Sequence, residues 1–125
     1  MRPKSDTLTG QELEIMKVIW PRGQATVREV YDDLKQRRTI AYTTVQTMMN
    51  ILETKGHLKR EPGEKAHTYA PVRPQQAVVK SMVREFVDRV FDGSARPLLV
   101  HLLKEKGLTE RERRELQKLL DKEES

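Results

Sequence analysis

The sequence predicts a mainly α fold with one small β-hairpin. A winged helix-turn-helix domain spans residues 1–73, and a three-helix dimerisation domain spans residues 74–125. Three observations predict it. Apolar residues recur with a helical period in six separate segments. The pattern T-x-x-E stands at three helix starts, Thr9/Glu12, Thr26/Glu29 and Thr109/Glu112. There the Thr hydroxyl and the Glu carboxylate satisfy backbone N–H groups that a helix N-terminus leaves open. Finally, three helices are followed by two short β-like runs around a charged Pro-Gly turn, which is the element order of a winged helix-turn-helix.

Each element follows from its residues. After Thr9, Leu13, Met16 and Trp20 fall on one helix face, widened by Ile15 and Ile19, and Leu8 with Leu13 makes a hydrophobic staple. Pro21-Arg22-Gly23 stops this helix. Gln24 to Thr26 has room for a short strand or an extended link. Val27, Val30, Tyr31 and Leu34 define the second helix. The third runs from about Ala41 to Lys55, with Gly56 just past its end. His57 to Glu61 and Ala66 to Ala70 read as strands around a Pro62–Lys65 turn, and Pro71 ends the second. Pro71 to Pro74 reads as a hinge. Helices then cover about 75–91, 95–106 and 110–122, separated by Asp92-Gly93-Ser94 and Gly107.

The bulk numbers bound the function. A chain of 125 residues suits one domain or two very small ones. Net charge is +5, which permits nucleic acid or another anionic partner. With no cysteine there is no disulfide framework and no thiolate metal site. MRPKSDT carries no apolar run after its basic residues, so no signal peptide is expected, and nothing reaches transmembrane length. The expected location is the cytoplasm, and no cofactor is implied.

The third helix carries the functional signal. Thr39 to Leu52 is uncharged in a chain that is 34% charged. On a helical wheel, Ala41, Val45, Met48, Met49 and Leu52 form the core side. Thr43, Thr47, Asn50 and Thr54 lie opposite, with Gln46 beside them and Thr44 at the boundary. A solvated face ordinarily takes Glu and Lys, which are better helix formers than Thr or Asn. Here helix propensity is given up for short donors, acceptors and methyl groups. Those groups read base edges in a major groove: Gln and Asn pair with adenine, and a Thr methyl meets a thymine methyl. The expected base-reading residues are Thr43, Thr44, Gln46, Thr47 and Asn50. Arg37, Arg38, Lys55, Lys59, Arg60 and Lys65 flank them and are expected to meet phosphates, fixing register without reading sequence. Between Arg37 and Arg73 there are seven Lys/Arg against three Asp/Glu, so most of the positive charge is concentrated here.

The C-terminal half is nearly neutral, with eleven Lys/Arg and ten Asp/Glu in residues 74–125. Three short helices with one apolar stripe each make a poor independent core. A second copy of the chain is the expected solution, burying Val79, Met82, Val83, Phe86 and Val90 with Leu98, Leu99, Leu102 and Leu103. Such a dimer would meet a pseudo-palindrome with half-sites about 10 bp or a multiple apart. His57, His67 and His101 lack the spacing of a metal site, so no metal is expected; His57 and His67 read as facing solvent or phosphate. Trp20, Tyr31 and Tyr69 read as core, and Tyr42 lies near the groove-facing end. Asp32 and Asp33 point in different directions and do not form a catalytic pair. No nucleophile elbow, phosphate loop or H-E-x-x-H motif occurs, so no enzyme is expected.

These residues resemble the penicillinase-repressor family of the BlaI/MecI/CopY type, over about residues 7–121. The carriers are L-T-x-x-E-x-x-I-M-K-V-I-W at 8–20, T-V-R-E-V at 26–30 and Y-T-T-V-Q-T-M-M-N-I-L-x-x-K-G at 42–56. H-T-Y-A-P-V at 67–72 and L-L-x-x-x-G-L-T-x-x-E-R-x-E-L at 102–116 add to it. The resemblance implies a homodimeric bacterial repressor that binds a palindromic operator on double-stranded DNA. It places Thr43, Thr44, Gln46 and Thr47 at DNA-contacting positions and Pro62 to Lys65 at the wing tip. The family's β-lactam-responsive members are cleaved at an Asn-Phe bond where this chain has His101-Leu102, and its copper-responsive members carry Cys-x-Cys motifs that this chain lacks. The sequence leaves open the inducing signal, and with it any separately encoded membrane sensor protease. The competing expectation is a winged-helix protein-interaction module without specific DNA binding. It calls for an apolar or acidic exposed face on the third helix.

Overall fold

The computed structural model describes residues 7–105 and 107–124. The elements run α1 (Gly10–Arg22), α2 (Val27–Leu34), α3 (Tyr42–Thr54), β1 (Leu58–Glu61), β2 (Thr68–Pro71), α4 (Gln75–Phe91), α5 (Arg96–Lys104) and α6 (Glu110–Glu124). All three Thr/Glu capping pairs form. In each, the Glu backbone N–H donates to the Thr hydroxyl at 3.1 Å, and the Thr backbone N–H donates back to the Glu carboxylate at 2.8–2.9 Å.

The third helix closes with a reciprocal pair of bonds. His57 N–H donates to Leu52 O at 2.9 Å, and Gly56 N–H donates to Glu53 O at 3.0 Å. Gly56 adopts φ 88°, the left-handed turn that this closure requires. His57 is thereby drawn into the cap, so β1 begins at Leu58, one residue later than the sequence suggests. Its ring is buried, and Nε2 meets no partner among the described residues. That corrects the solvent-or-phosphate expectation: the cap geometry turns the side chain inward.

β1 and β2 pair antiparallel in the register Leu58↔Pro71 to Glu61↔Thr68. The second strand therefore starts later than expected and includes Pro71, which stands at the strand end where a missing N–H is tolerated. At the exposed tip, a Cβ on Gly63 would collide with the Ala66 carbonyl. Ala25 bridges the free edge of β2, exchanging hydrogen bonds with Tyr69 at 2.8 and 3.0 Å. The extended link at Gln24 to Thr26 is thus a one-residue third strand.

The chain divides into two compact units, Met1–Met82 and Val83–Ser125. In the first, Ile15, Met16 and Ile19 of α1 meet Val30 and Leu34 of α2 and Val45, Met49 and Leu52 of α3, with Leu58 and Tyr69 from the hairpin. Val78 is also buried there, and Met82 packs against the same cluster. The start of α4 thus belongs with the winged unit, whereas the sequence reading divided the chain at residue 73. Met82, expected at a dimer face, packs within its own chain, because it lies one turn beyond Val78 on the same side of α4. In the second unit Val87 and Leu120 are buried. Asp92 (φ 53°) and Gly93 (φ 88°) end α4. The Arg113 guanidinium donates to the carbonyls of Leu103 and Glu105, tying α6 to the end of α5. The expected end of the fifth helix at Lys106 lies outside the described residues, and α6 runs two residues longer than expected.

Alanine substitution separates the two faces of α3. Met49 is fully buried, so Met49→Ala lowers unfolding free energy by about 2–5 kcal/mol in urea titrations. Thr43→Ala, on the exposed face, is neutral or stabilising by a few tenths of a kcal/mol, since alanine is the better helix former. Equal losses at the two sites would contradict the division of the helix into a packed and an open side.

Candidate nucleic-acid interface

The site is the open side of α3. Thr43, Thr44, Gln46, Thr47 and Asn50 are all exposed, while Val45, Met49 and Leu52 behind them are fully buried. Ala41 is the N-cap of α3 and is exposed, not part of its core side. An open groove runs between the start of α1 and α3, lined by Thr9, Gln11, Thr43, Thr44 and Thr47, with Ile51 at its far end. Ile51 is 41% exposed. It lies between Thr47 and Thr44 around the helix, where the helical period alone gives an apolar residue no assignment.

Polar ties hold both flanks of α3. Towards α1, the Lys55 ammonium lies 2.9–3.0 Å from both carboxylate oxygens of Glu12. Glu12 is buried, while the Lys55 side chain is 42% exposed. Burial pushes the Glu12 pKa up, but Lys55 and the Thr9 backbone N–H and hydroxyl outweigh it, so the net pKa is lowered. Towards the hairpin, the Tyr69 hydroxyl donates to Asn50 Oδ1 at 2.9 Å. Trp20 Nε1 donates to Arg73 O at 3.1 Å, fixing the exit of the hairpin on α1.

The sequence-predicted cations fare unevenly. Arg38 lies against Glu14 through Nε (3.0 Å) and Nη2 (2.8 Å) and is half-buried. Arg37 pairs with Asp33 at 3.0 Å, Lys59 with Glu61 at 3.4 Å and Arg60 with Glu53 at 3.6 Å. Lys65, in the exposed tip, makes no ion pair among the described residues. Lys55 and Arg38 serve to anchor α3 and the α2–α3 link, a role that charge counting does not reveal. Asn50 likewise gives its carbonyl to Tyr69. Arg28 lies above the rings of Tyr42 and Tyr31, and in the sequence only the i, i+3 spacing of Arg28 and Tyr31 signals it.

On α4, Val79, Val83, Phe86 and Val90 form one exposed stripe, 39–51% exposed. Leu102 is exposed at 37%, and Leu98, Leu99 and Leu103 are half-buried. Among the described residues no helix is long and apolar enough to cross a membrane.

A family model described as penicillinase repressor matches residues 8–122. The chain belongs to that family. Among its relatives, the transcriptional regulator BlaI of Mycobacterium tuberculosis is 34% identical over 101 residues, covering 79% of this chain and 73% of the relative. The penicillinase repressor of Bacillus licheniformis is 27% identical over 118 residues, 94% of this chain and 92% of the relative. The solution structure of the DNA-binding domain of the repressor BlaI aligns with TM-score 0.52 and 31% identity, covering 60% of this chain and 90% of that one. The Bacillus licheniformis BlaI monomeric form, in complex with the blaP half-operator, aligns with TM-score 0.51 and 30% identity, covering 61% and 92%. The family's winged helix is therefore the fold that carries α3 and its open face.

The lowered Glu12 pKa gives a pH test. A carboxyl with a depressed folded-state pKa stabilises fully above its unfolded pKa and loses that contribution as pH falls through the folded value. Glu12→Gln is less stable than the parent at neutral pH by about 1 kcal/mol, a figure discounted for solvent at Lys55. Urea titrations from about pH 5 to pH 3 show the gap closing as the parent carboxyl protonates. A gap that stays constant across that range would contradict the assignment.

Proposed function

We propose that this chain is a transcriptional repressor that binds a pseudo-palindromic operator as a homodimer, with α3 in the major groove. The observation that carries the reading is the face of α3. Five uncharged hydrogen-bonding side chains stand exposed on a helix whose opposite side carries the fully buried Val45, Met49 and Leu52. Thr43, Thr44, Gln46 and Thr47 form the base-reading set; Asn50 contributes through its amide N–H₂ while its carbonyl stays with Tyr69. Lys65, Lys59, Arg60 and Arg37 reach phosphates, the latter three, themselves exposed, by exchanging a half-buried carboxylate partner for a phosphate. The relative bound to a half-operator supports the same use of this fold. One chain per half-site also implies two chains per operator.

A second copy covers the Val79, Val83, Phe86 and Val90 stripe together with Leu102, since four exposed apolar side chains at i, i+4, i+7 and i+11 form a helix-pairing seam. Action on DNA places the protein in the bacterial cytoplasm, and the function is binding without catalysis.

Fluorescence anisotropy with full-length protein tests this reading, using a duplex from just upstream of its own gene against a shuffled duplex. The expected result is preferential binding to the first at near-physiological salt, with two chains per duplex. Gln46→Ala removes about 1–3 kcal/mol of that preference, while Phe86→Glu lowers the stoichiometry and weakens binding. Equal, salt-labile binding to both duplexes would leave a basic surface alone and favour the interaction-module reading.

A further inference from the structure

Most cations around α3 already face carboxylates, as the pairs of Arg22, Arg37, Arg38, Lys55, Lys59 and Arg60 show. Arg28 does not. It is exposed in the first turn of α2 and pairs with no carboxylate among the described residues. Its guanidinium carbon lies 4.8 Å from the centroid of the Tyr42 ring and 5.7 Å from that of Tyr31. The two rings meet edge to face, 5.5 Å apart at 76°. Lys35 approaches the same Tyr31 ring at 5.2 Å, but it also pairs with Asp32 at 3.1 Å.

An aromatic face holds a guanidinium without consuming its N–H donors. Arg28 is therefore positioned with its hydrogen-bonding edge unspent. The place is specific. Tyr42 is the first residue of α3, one helical turn before Gln46 on the same flank. Arg28 itself comes from α2, the helix that crosses the backbone in this kind of docking. The first turn of α3 also has no side-chain cap, unlike those of α1 and α2.

We infer that Arg28 is a phosphate contact held ready by Tyr42, and that the pair fixes how the N-terminal end of α3 enters the groove. The inference rests on the DNA-binding reading above. A guanidinium presents two parallel donors to phosphate oxygens, and its root on α2 keeps it off the base-reading face. Arg28 thus sets register and affinity while Gln46 and Thr47 set sequence.

The test is a salt series of anisotropy titrations on the full chain, with the upstream duplex and the shuffled duplex. Arg28→Ala weakens binding to both several-fold and by the same factor. It also makes the log–log salt slope shallower by about 0.9 per chain, or about 1.8 for the two chains on one duplex. Arg28→Lys keeps the slope, because the charge remains. Tyr42→Phe behaves as the parent, whereas Tyr42→Leu weakens both duplexes several-fold with the slope retained. A purely structural Arg28 would instead lower the melting temperature and leave the slope alone. If the parent prefers the upstream duplex but Arg28→Ala leaves the slope unchanged, this inference falls and the DNA-binding reading stands. If Arg28→Ala changes the preference between duplexes, Arg28 reads bases and the inference also falls. If the parent binds neither duplex, both readings fall together.

Discussion

The contact between Glu12 and Lys55 is the constraint on which the site depends. A recognition helix must be rigidly placed, yet its outward face has to stay bare. The apolar side of α3 supplies packing, but packing alone leaves rotation and sliding weakly fixed at the helix ends. Glu12 is buried at the start of α1, where it closes that helix's capping box and also receives Lys55 from the end of α3. One carboxylate therefore fixes two helices at once. A buried charge costs stability unless it is paired and hydrogen-bonded, and here the Lys55 tie that helps offset that cost also orients α3.

On the opposite flank, Tyr69 and Asn50 play the corresponding part between β2 and α3. Ala25 braces the outer edge of β2, and Trp20 holds the hairpin exit through Arg73. The wing is thus tied to the same helix that the site presents. What remains free on α3 is a strip of threonines and one glutamine, with the exposed Ile51 among them. Because nearby cations are largely neutralised by carboxylates, an account of affinity from net charge alone would overstate the phosphate contacts. On the proposed DNA-binding reading, sequence preference comes from the neutral strip, and the few unspent cations set position.

Local features were legible in the sequence. Capping boxes act within four residues, the Gly56 closure within six, and the helical period repeats every turn, so each leaves its mark in a short window. The face of α3 was legible for the same reason. Pairs remote in sequence were not. Glu12 and Lys55 stand 43 residues apart, and Arg38 and Glu14 stand 24 apart. As isolated charges, Lys55 and Arg38 read as phosphate contacts. His57 looked solvent-facing because nothing local shows that the helix cap turns it inward. Met82 looked like part of a seam because a wheel cannot tell which side of α4 meets the winged core. Arg28 was visible as a charge, but its tyrosine bed is a tertiary feature.

The most direct test of the central claim is an NMR titration of the labelled full chain with the duplex from upstream of its own gene. The account predicts that the largest shifts fall on the backbone amides of Thr43, Thr44 and Thr47, the side-chain amide of Gln46, and Arg28 Nε, with smaller changes at Lys65. Shifts concentrated on Val79, Val83 and Phe86, with α3 unmoved, would contradict it and make α4 the surface that meets the partner.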